Sequence, residues 1–154
     1  MKRDTFLVAL GLFVVGYGTN VSTPFLVLYR DRLDLSANAT QLIFVVYVVG
    51  ILSTLMLAGQ LSDRYGRRRL LIASLALSAL GSAILIGGRD SFALLLMGRV
   101  ILGVVSGLGL GVGAAWLQEL MGPAQQHKAA LVATLVTYGG FGAAPPLSVL
   151  YEWL

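Results

Sequence analysis

Five stretches of this chain, residues 5–28, 41–61, 70–88, 92–117 and 129–151, carry almost no charge, and each meets the roughly 17 to 25 residues that a helix needs to cross a bilayer. Hydrocarbon offers no water to satisfy backbone N–H and C=O groups. A chain that crosses it in single segments must therefore close its hydrogen bonds within each segment, as α-helices do. The alternative, a large soluble core, requires amphipathic faces and longer polar connections than the links at 29–40, 62–69, 89–91 and 118–128 provide. Composition agrees, with 57% hydrophobic and 12% charged residues against roughly 25% charged in an ordinary soluble domain. We expect an all-α integral membrane protein, a polytopic helical bundle forming one transmembrane domain over residues 1–154 with five spans.

The first run could be read as a secretory signal, because Lys2 and Arg3 precede the apolar stretch 6–15. No small-x-small cleavage pattern follows, and the apolar run continues past Pro24 to Leu28, so an uncleaved first span is expected. The absence of cysteine excludes a disulfide framework and a thiolate metal site; no metal and no cofactor are expected. The net charge of +4 and pI near 9.8 raise the question of nucleic acid. The position of the charges answers it. With five alternating spans, Lys2, Arg3, Arg64, Arg67, Arg68, Arg69 and Lys128 fall on one side, while Arg30, Arg32 and Arg89 fall on the other. The richer side is expected in the cytoplasm. The N-terminus is then cytoplasmic and the end at Leu154 outside, in the plasma membrane, with Tyr151 and Trp153 at the outer headgroup layer. The expected partner is the lipid bilayer, not nucleic acid.

The second run leads into Gly59-Gln60-Leu61-Ser62-Asp63-Arg64-Tyr65-Gly66-Arg67-Arg68-Arg69, expected as an eight-residue turn over 62–69. Cytoplasmic loops favour arginine, but that rule does not account for Asp63, nor for Gly59 and Gly66, which permit close backbone approach and a tight turn. The stretch has the form Gly-x-Leu-x-Asp-Arg-x-Gly-Arg-Arg and resembles the signature loop of the major facilitator superfamily, between its second and third spans. The resemblance covers essentially the whole chain. It implies about five of the twelve spans of that fold, an incomplete N-terminal half, with the substrate site lying between two six-helix halves. It also implies a cytoplasmic gate in which Gly59, Asp63, Arg64, Gly66, Arg67 and Arg68 take part, Asp63 and Arg67 being conformational residues rather than substrate ligands. Glu119, at the cytoplasmic end of the fourth span, is the acidic partner expected for Arg67 or Arg68; its alternative is a solvated helix-end carboxylate. A unit-charge pair at 4 Å has about 4 kcal/mol of Coulomb energy at an effective dielectric of 20 and about 1 in water. A pair closed off in one conformation and wetted in another therefore biases the equilibrium between them.

Arg99 lies seven positions into the fourth run, roughly 10 Å below the outer interface at 1.5 Å per residue. An arginine there costs at least about 2.5 to 3.5 kcal/mol, so it either faces a cavity or partner or snorkels outward. The family often has Arg-x-x-Gln-Gly at this place; here Arg99 and Gly103 match and Leu102 replaces the glutamine. The resemblance implies a coupling or substrate-contacting role for Arg99.

The glycines at 103, 107 and 111, with 109 and 113 beside them, allow close helix contact, so this span is expected to be buried among its neighbours. Gly109-x-Gly111-x-x-Ala114 also fits a dinucleotide fingerprint formally, but no strand precedes it and membrane packing accounts for it better. Tyr17, Asn20 and Thr23, spaced by three on the first span, are candidate cavity-lining residues or, equally, interhelical hydrogen-bonding groups. In the fifth span Pro145 and Pro146 withhold backbone donors and are expected to kink or loosen the helix. The segment 139–146 is similar to the glycine-proline motif of the family's drug-proton antiporters, without the adjacent Gly-Pro pair.

No Asp or Glu falls inside any of the five runs, so no intramembrane proton carrier is evident. What the resemblance implies is alternating-access transport of a small solute, with a proton-coupled efflux antiporter as one form, proton as a further ligand, and the missing C-terminal portion as a partner. The rival is a truncated or split remnant without transport, acting as a membrane scaffold or assembly partner. An enzyme is not expected, because no nucleophile-base pair or metal-ligand cluster converges in the spans.

Overall fold

The computed structural model describes residues 3–21, 23, 25–88 and 90–152, with side chains described throughout these except at 25–28 and 147–152. Lys2, Arg89, Trp153 and the side chain of Tyr151, used above to orient the chain, lie outside the described residues. Among the described residues the regular structure is entirely helical.

The first apolar run is not one continuous helix. Helix α1 (Arg3–Asn20) stops at Asn20, and α2 (Phe25–Arg32) begins after a turn at Val21 and Thr23. Thr19 turns its hydroxyl back onto the carbonyls of Val15 and Gly16 at 2.9 and 3.0 Å. The Thr23 N–H reaches only the Asn20 carbonyl, at 3.0 Å, in a three-residue turn. The proline at position 24 has no N–H to continue a helix and biases the residue before it away from helical dihedrals.

Helix α3 (Ala37–Tyr65) starts under Ser36, whose hydroxyl accepts the Ala39 N–H at 3.2 Å and so satisfies one of the first-turn donors. Nothing between Ser62 and Tyr65 breaks the helix, so the eight-residue turn expected at 62–69 contracts to one residue, Gly66. Its φ of +80° is a conformation only glycine adopts without steric cost. Its N–H donates to the Ser62 carbonyl at 2.9 Å. Helix α4 (Arg67–Gly87) follows at once. The fourth run is a single rod in three parts: α5 (Phe92–Leu108), a π-helical turn (Gly109–Gly113) and α6 (Ala114–Met121). A second glycine with φ +80°, Gly122, and a 3-10 turn (Pro123–Gln125) lead into α7 (Gln126–Glu152), which runs through Pro145 and Pro146.

The rod sits at the centre. Over its most apolar stretch 56% of residues are buried, against 22% for α3 and 28% for α4. It lies along α3 on one side and α4 on another, while α1 packs along α7. At the α3–α5 crossing a Cβ on Gly50 would stand 2.9 Å from the Val100 carbonyl oxygen, and one on Gly107 would stand 2.8 Å from that of Ile51. Backbone touches backbone here, which is how small residues join apolar helices when lipid removes the hydrophobic drive between them. Three apolar clusters line the rod, the middle one being Ala58, Leu108 and Val112. Of the flanking two, one, at the end where α1 and α4 begin, contains Val8, Leu12, Leu71, Leu117 and Ala133; the other, at the far end, contains Ile43, Leu85, Leu95 and Leu102.

The outer surface is as apolar as the cores: Met56 is 82% exposed, Ile86 70% and Leu135 62%. Apolar exposure on this scale suits hydrocarbon rather than water. Three helices, Ala37–Tyr65, Arg67–Gly87 and Phe92–Met121, are long and apolar enough to cross a membrane by length and composition. The first and fifth runs lie on α1 with α2 and on α7.

Candidate functional site

Gly66 reverses the chain so tightly that Arg67, Arg68 and Arg69 form the first turn of α4, from which Arg67 reaches Glu119 near the end of α6. The Arg67 guanidinium donates from Nη2 to Glu119 Oε1 at 2.5 Å, with the two side chains 26% and 57% exposed. The pair fastens the start of α4 to the end of the central rod and borders a shallow groove of about 410 Å³ that also includes Gln118, Pro123 and Gln126. At this exposure such a pair contributes about 0.2 to 1 kcal/mol. Its value would rise if another surface covered it and lowered the local dielectric.

The other residues of the signature loop are not gathered around that pair. Asp63, Arg64 and Arg68 are exposed, and among the described residues no ion pair involves Asp63. Arg64 lies 5.3 Å from the centroid of the Tyr65 ring, a cation-π contact worth about 0.5 to 1 kcal/mol on an open surface. Gly59 corrects the expectation of close backbone approach: a Cβ there would meet nothing within 4 Å. It lies on the exposed side of α3, away from the contact that Gly50 makes with α5.

Arg99 is held inside the bundle, 3% exposed, near the far core. Its Nε and Nη2 are buried with no hydrogen-bond partner among the described residues. Tyr47 and Tyr29 are its polar neighbours. Each hydroxyl is itself engaged: Tyr47 Oη with Ser106 Oγ at 3.1 Å, and Tyr29 donating to the Leu85 carbonyl at 3.3 Å. The guanidinium is thus enclosed, charged and short of acceptors, a condition that buried polar groups rarely sustain without water or a ligand.

Tyr17, Asn20 and Thr23 are all partly buried, but they do not share a helix face. Tyr17 and Asn20 are on α1, whereas Thr23 lies beyond its end, because the helix stops before the proline. Tyr29, Tyr47 and Ser106 carry no distinguishing sequence pattern. The signal that points to them is the need of an arginine within a span for polar company, which directs attention to hydroxyls on its own helix and its neighbours. At the far end Arg32 pairs with Asp90 at 3.6 Å, both well exposed.

The family model described as the Major Facilitator Superfamily matches residues 8–153. Among similar proteins is the human solute carrier family 2, facilitated glucose transporter member 12, 32% identical over 122 residues, which cover 79% of this chain and 19% of that protein. The triacylglyceride transporter of Mycobacteroides abscessus is 38% identical over 116 residues, covering 70% of this chain and 21% of that protein. The arabinose-proton symporter of Bacillus subtilis is 29% identical over 150 residues, covering 94% and 32%. The chain spans about a fifth of the length of the first two relatives. With the apolar helices, the signature loop and a family model matched from residue 8 to residue 153, this multi-pass membrane protein belongs to the major facilitator superfamily.

Proposed function

We propose that this chain contributes five membrane crossings to an alternating-access transporter of a small solute in the plasma membrane, rather than acting as an enzyme, with its start in the cytoplasm and Leu154 outside. The observation that carries the reading is the Arg67–Glu119 pair at the mouth formed by α4, α6 and α7. A charge pair placed where helix ends converge is worth more when covered than when wet, so it favours the conformation in which that mouth is closed. Asp63, exposed and without an ion pair among the described residues, is free to join the network when a further helix or domain approaches. Arg99 supplies a buried positive charge for coupling or for an acceptor group of the solute. The relatives' names include a glucose transporter, a triacylglyceride transporter and an arabinose-proton symporter. They support a transported solute without narrowing its class; proton coupling, efflux and a complementary C-terminal portion belong to the proposal.

The test has two parts. Reporters placed after Leu154 and at Gly66 should be outside and inside respectively, and the opposite pattern would remove the five-crossing arrangement. In cells expressing the protein and screened with a solute panel, Arg67→Gln and Glu119→Gln should each slow turnover while leaving solute binding intact. Unchanged turnover, or lost binding at normal turnover, contradicts the gate. Absence of transport for every solute when the complementary C-terminal portion is supplied favours a scaffold or assembly role.

A further inference from the structure

The two nitrogens of Arg99 that have no partner among the described residues, Nε and Nη2, lie on one edge of the guanidinium. The N–H bonds of that edge run side by side and can share a single acceptor. The described helices alone bury the residue to 3% exposure. While the bundle keeps this arrangement, no group approaching from outside it reaches either nitrogen, so whatever satisfies them must be small enough to be enclosed. We propose that this edge of Arg99 holds one chloride ion, in an internal site near the far core.

Charge decides between an ion and a water molecule. A water could accept both N–H bonds, yet it would leave a full positive charge in an apolar enclosure, and arginine does not escape that cost by losing its proton. The chain supplies no counter-charge at this depth, because all seven acidic residues lie outside the five apolar runs. Asp31, Asp34 and Asp90, at the same end of the bundle, are exposed, and Asp90 pairs with Arg32. Chloride is monovalent, so it neutralises the site, and it is a single atom, so it needs no room for a second oxygen. A further donor is at hand: the Tyr47–Ser106 hydrogen bond uses only one of its two hydroxyl protons, and Tyr47 neighbours the arginine. The apolar side chains of Ile43, Leu85, Leu95 and Leu102 at this end keep the local dielectric low and strengthen the pairing of ion and guanidinium. The inference goes beyond the transport reading and does not depend on the gate.

The full chain in detergent micelles, unfolded with sodium dodecyl sulfate at constant ionic strength, should gain stability saturably as sodium chloride replaces sodium gluconate, whose anion is too large to be enclosed. A ligand bound only by the folded state stabilises it in proportion to ln(1 + [L]/Kd), so the curve yields the affinity. Bromide should act as chloride does, and in crystals its anomalous scattering should mark the Nε–Nη2 edge of Arg99. Arg99→Met should abolish the dependence, and the advantage of methionine there should be largest in gluconate, where the site is empty. Arg99→Lys, with one nitrogen in place of an edge, should weaken halide affinity about tenfold, the equivalent of about 1.4 kcal/mol. Arg67→Gln, which alters an ion pair at the opposite end of the rod, should leave the dependence unchanged. Equal stability in chloride and gluconate overturns the proposal and leaves enclosed water as the acceptor. A halide response that survives Arg99→Met overturns it as well, reducing the effect to an adventitious ion only. The comparison of anions and the bromide signal use the unmodified chain, so failed folding of an arginine variant does not leave the proposal undecided.

Discussion

Replacing Arg99 with methionine should make the bundle more stable and, in the transporter reading, inactive. The guanidinium is 3% exposed and two of its nitrogens are buried without a partner among the described residues. Placing an arginine at such depth costs about 2.5 to 3.5 kcal/mol. Methionine matches it in length and flexibility, so little packing is lost. Part of the cost persists after unfolding, because a helix denatured in detergent still carries the residue in an apolar phase. About 1 to 2 kcal/mol should therefore appear as added stability. For a chain of this size that is a rise of about 2 to 8 °C in the melting midpoint. Titration of the purified protein with sodium dodecyl sulfate, followed by circular dichroism, measures it directly. Arg99→Lys keeps the charge and should show no such gain. If Arg99→Met is instead destabilising by more than about 1 kcal/mol, the arginine has a folded-state partner and its description as acceptor-poor is wrong.

Two further substitutions test the packing. Gly103→Val would drive a Cβ into the backbone carbonyl of Tyr47 and should cost about 1 to 3 kcal/mol or more in the same titration, whereas Gly59→Ala, into open space, should be nearly neutral. Gly66→Ala, forced to φ +80° and ψ 144°, should cost about 1 to 3 kcal/mol, read as a lowered denaturation midpoint.

The apolar runs made the helices legible because hydrocarbon length is a one-dimensional property, readable along the chain without knowing the partners. Turn chemistry was readable at Gly66, whereas Gly122, with the same φ, sits in the 118–128 link without a motif to mark it. The extent of the 62–69 turn was not, since nothing from Ser62 to Tyr65 breaks the helix and α3 runs to the glycine itself. Proline at 24 is a local signal that the apolar character of 5–28 obscures, and Thr23 lies beyond the helix that its spacing from Tyr17 and Asn20 suggests. For Arg99, depth was readable and surroundings were not. Whether Tyr47 meets it depends on the rotation of α3 and α5 about their axes, at a crossing where Gly50 touches Val100 and Gly103, and Tyr29 reaches it from α2. Gly59 shows the same limit in reverse, a small residue whose face has no neighbour among the described residues.

The π-helical turn at Gly109–Gly113 has a consequence for angular phase. A π turn holds one residue more than an α turn, and each residue of an α-helix advances about 100° around the axis. The two halves of the rod are therefore indexed separately. The α5 half sets its azimuth by α3 and α4, placing Arg99 in the interior, while the α6 half sets its own by α1 and α7, placing Leu117 in the near core and Glu119 toward Arg67. Deleting one residue from this turn would leave both halves helical and equally apolar, yet rotate Glu119 by about 100° away from its arginine. The extra residue acts as a phase shifter, reconciling two packing arrangements that a uniform helix could not serve together.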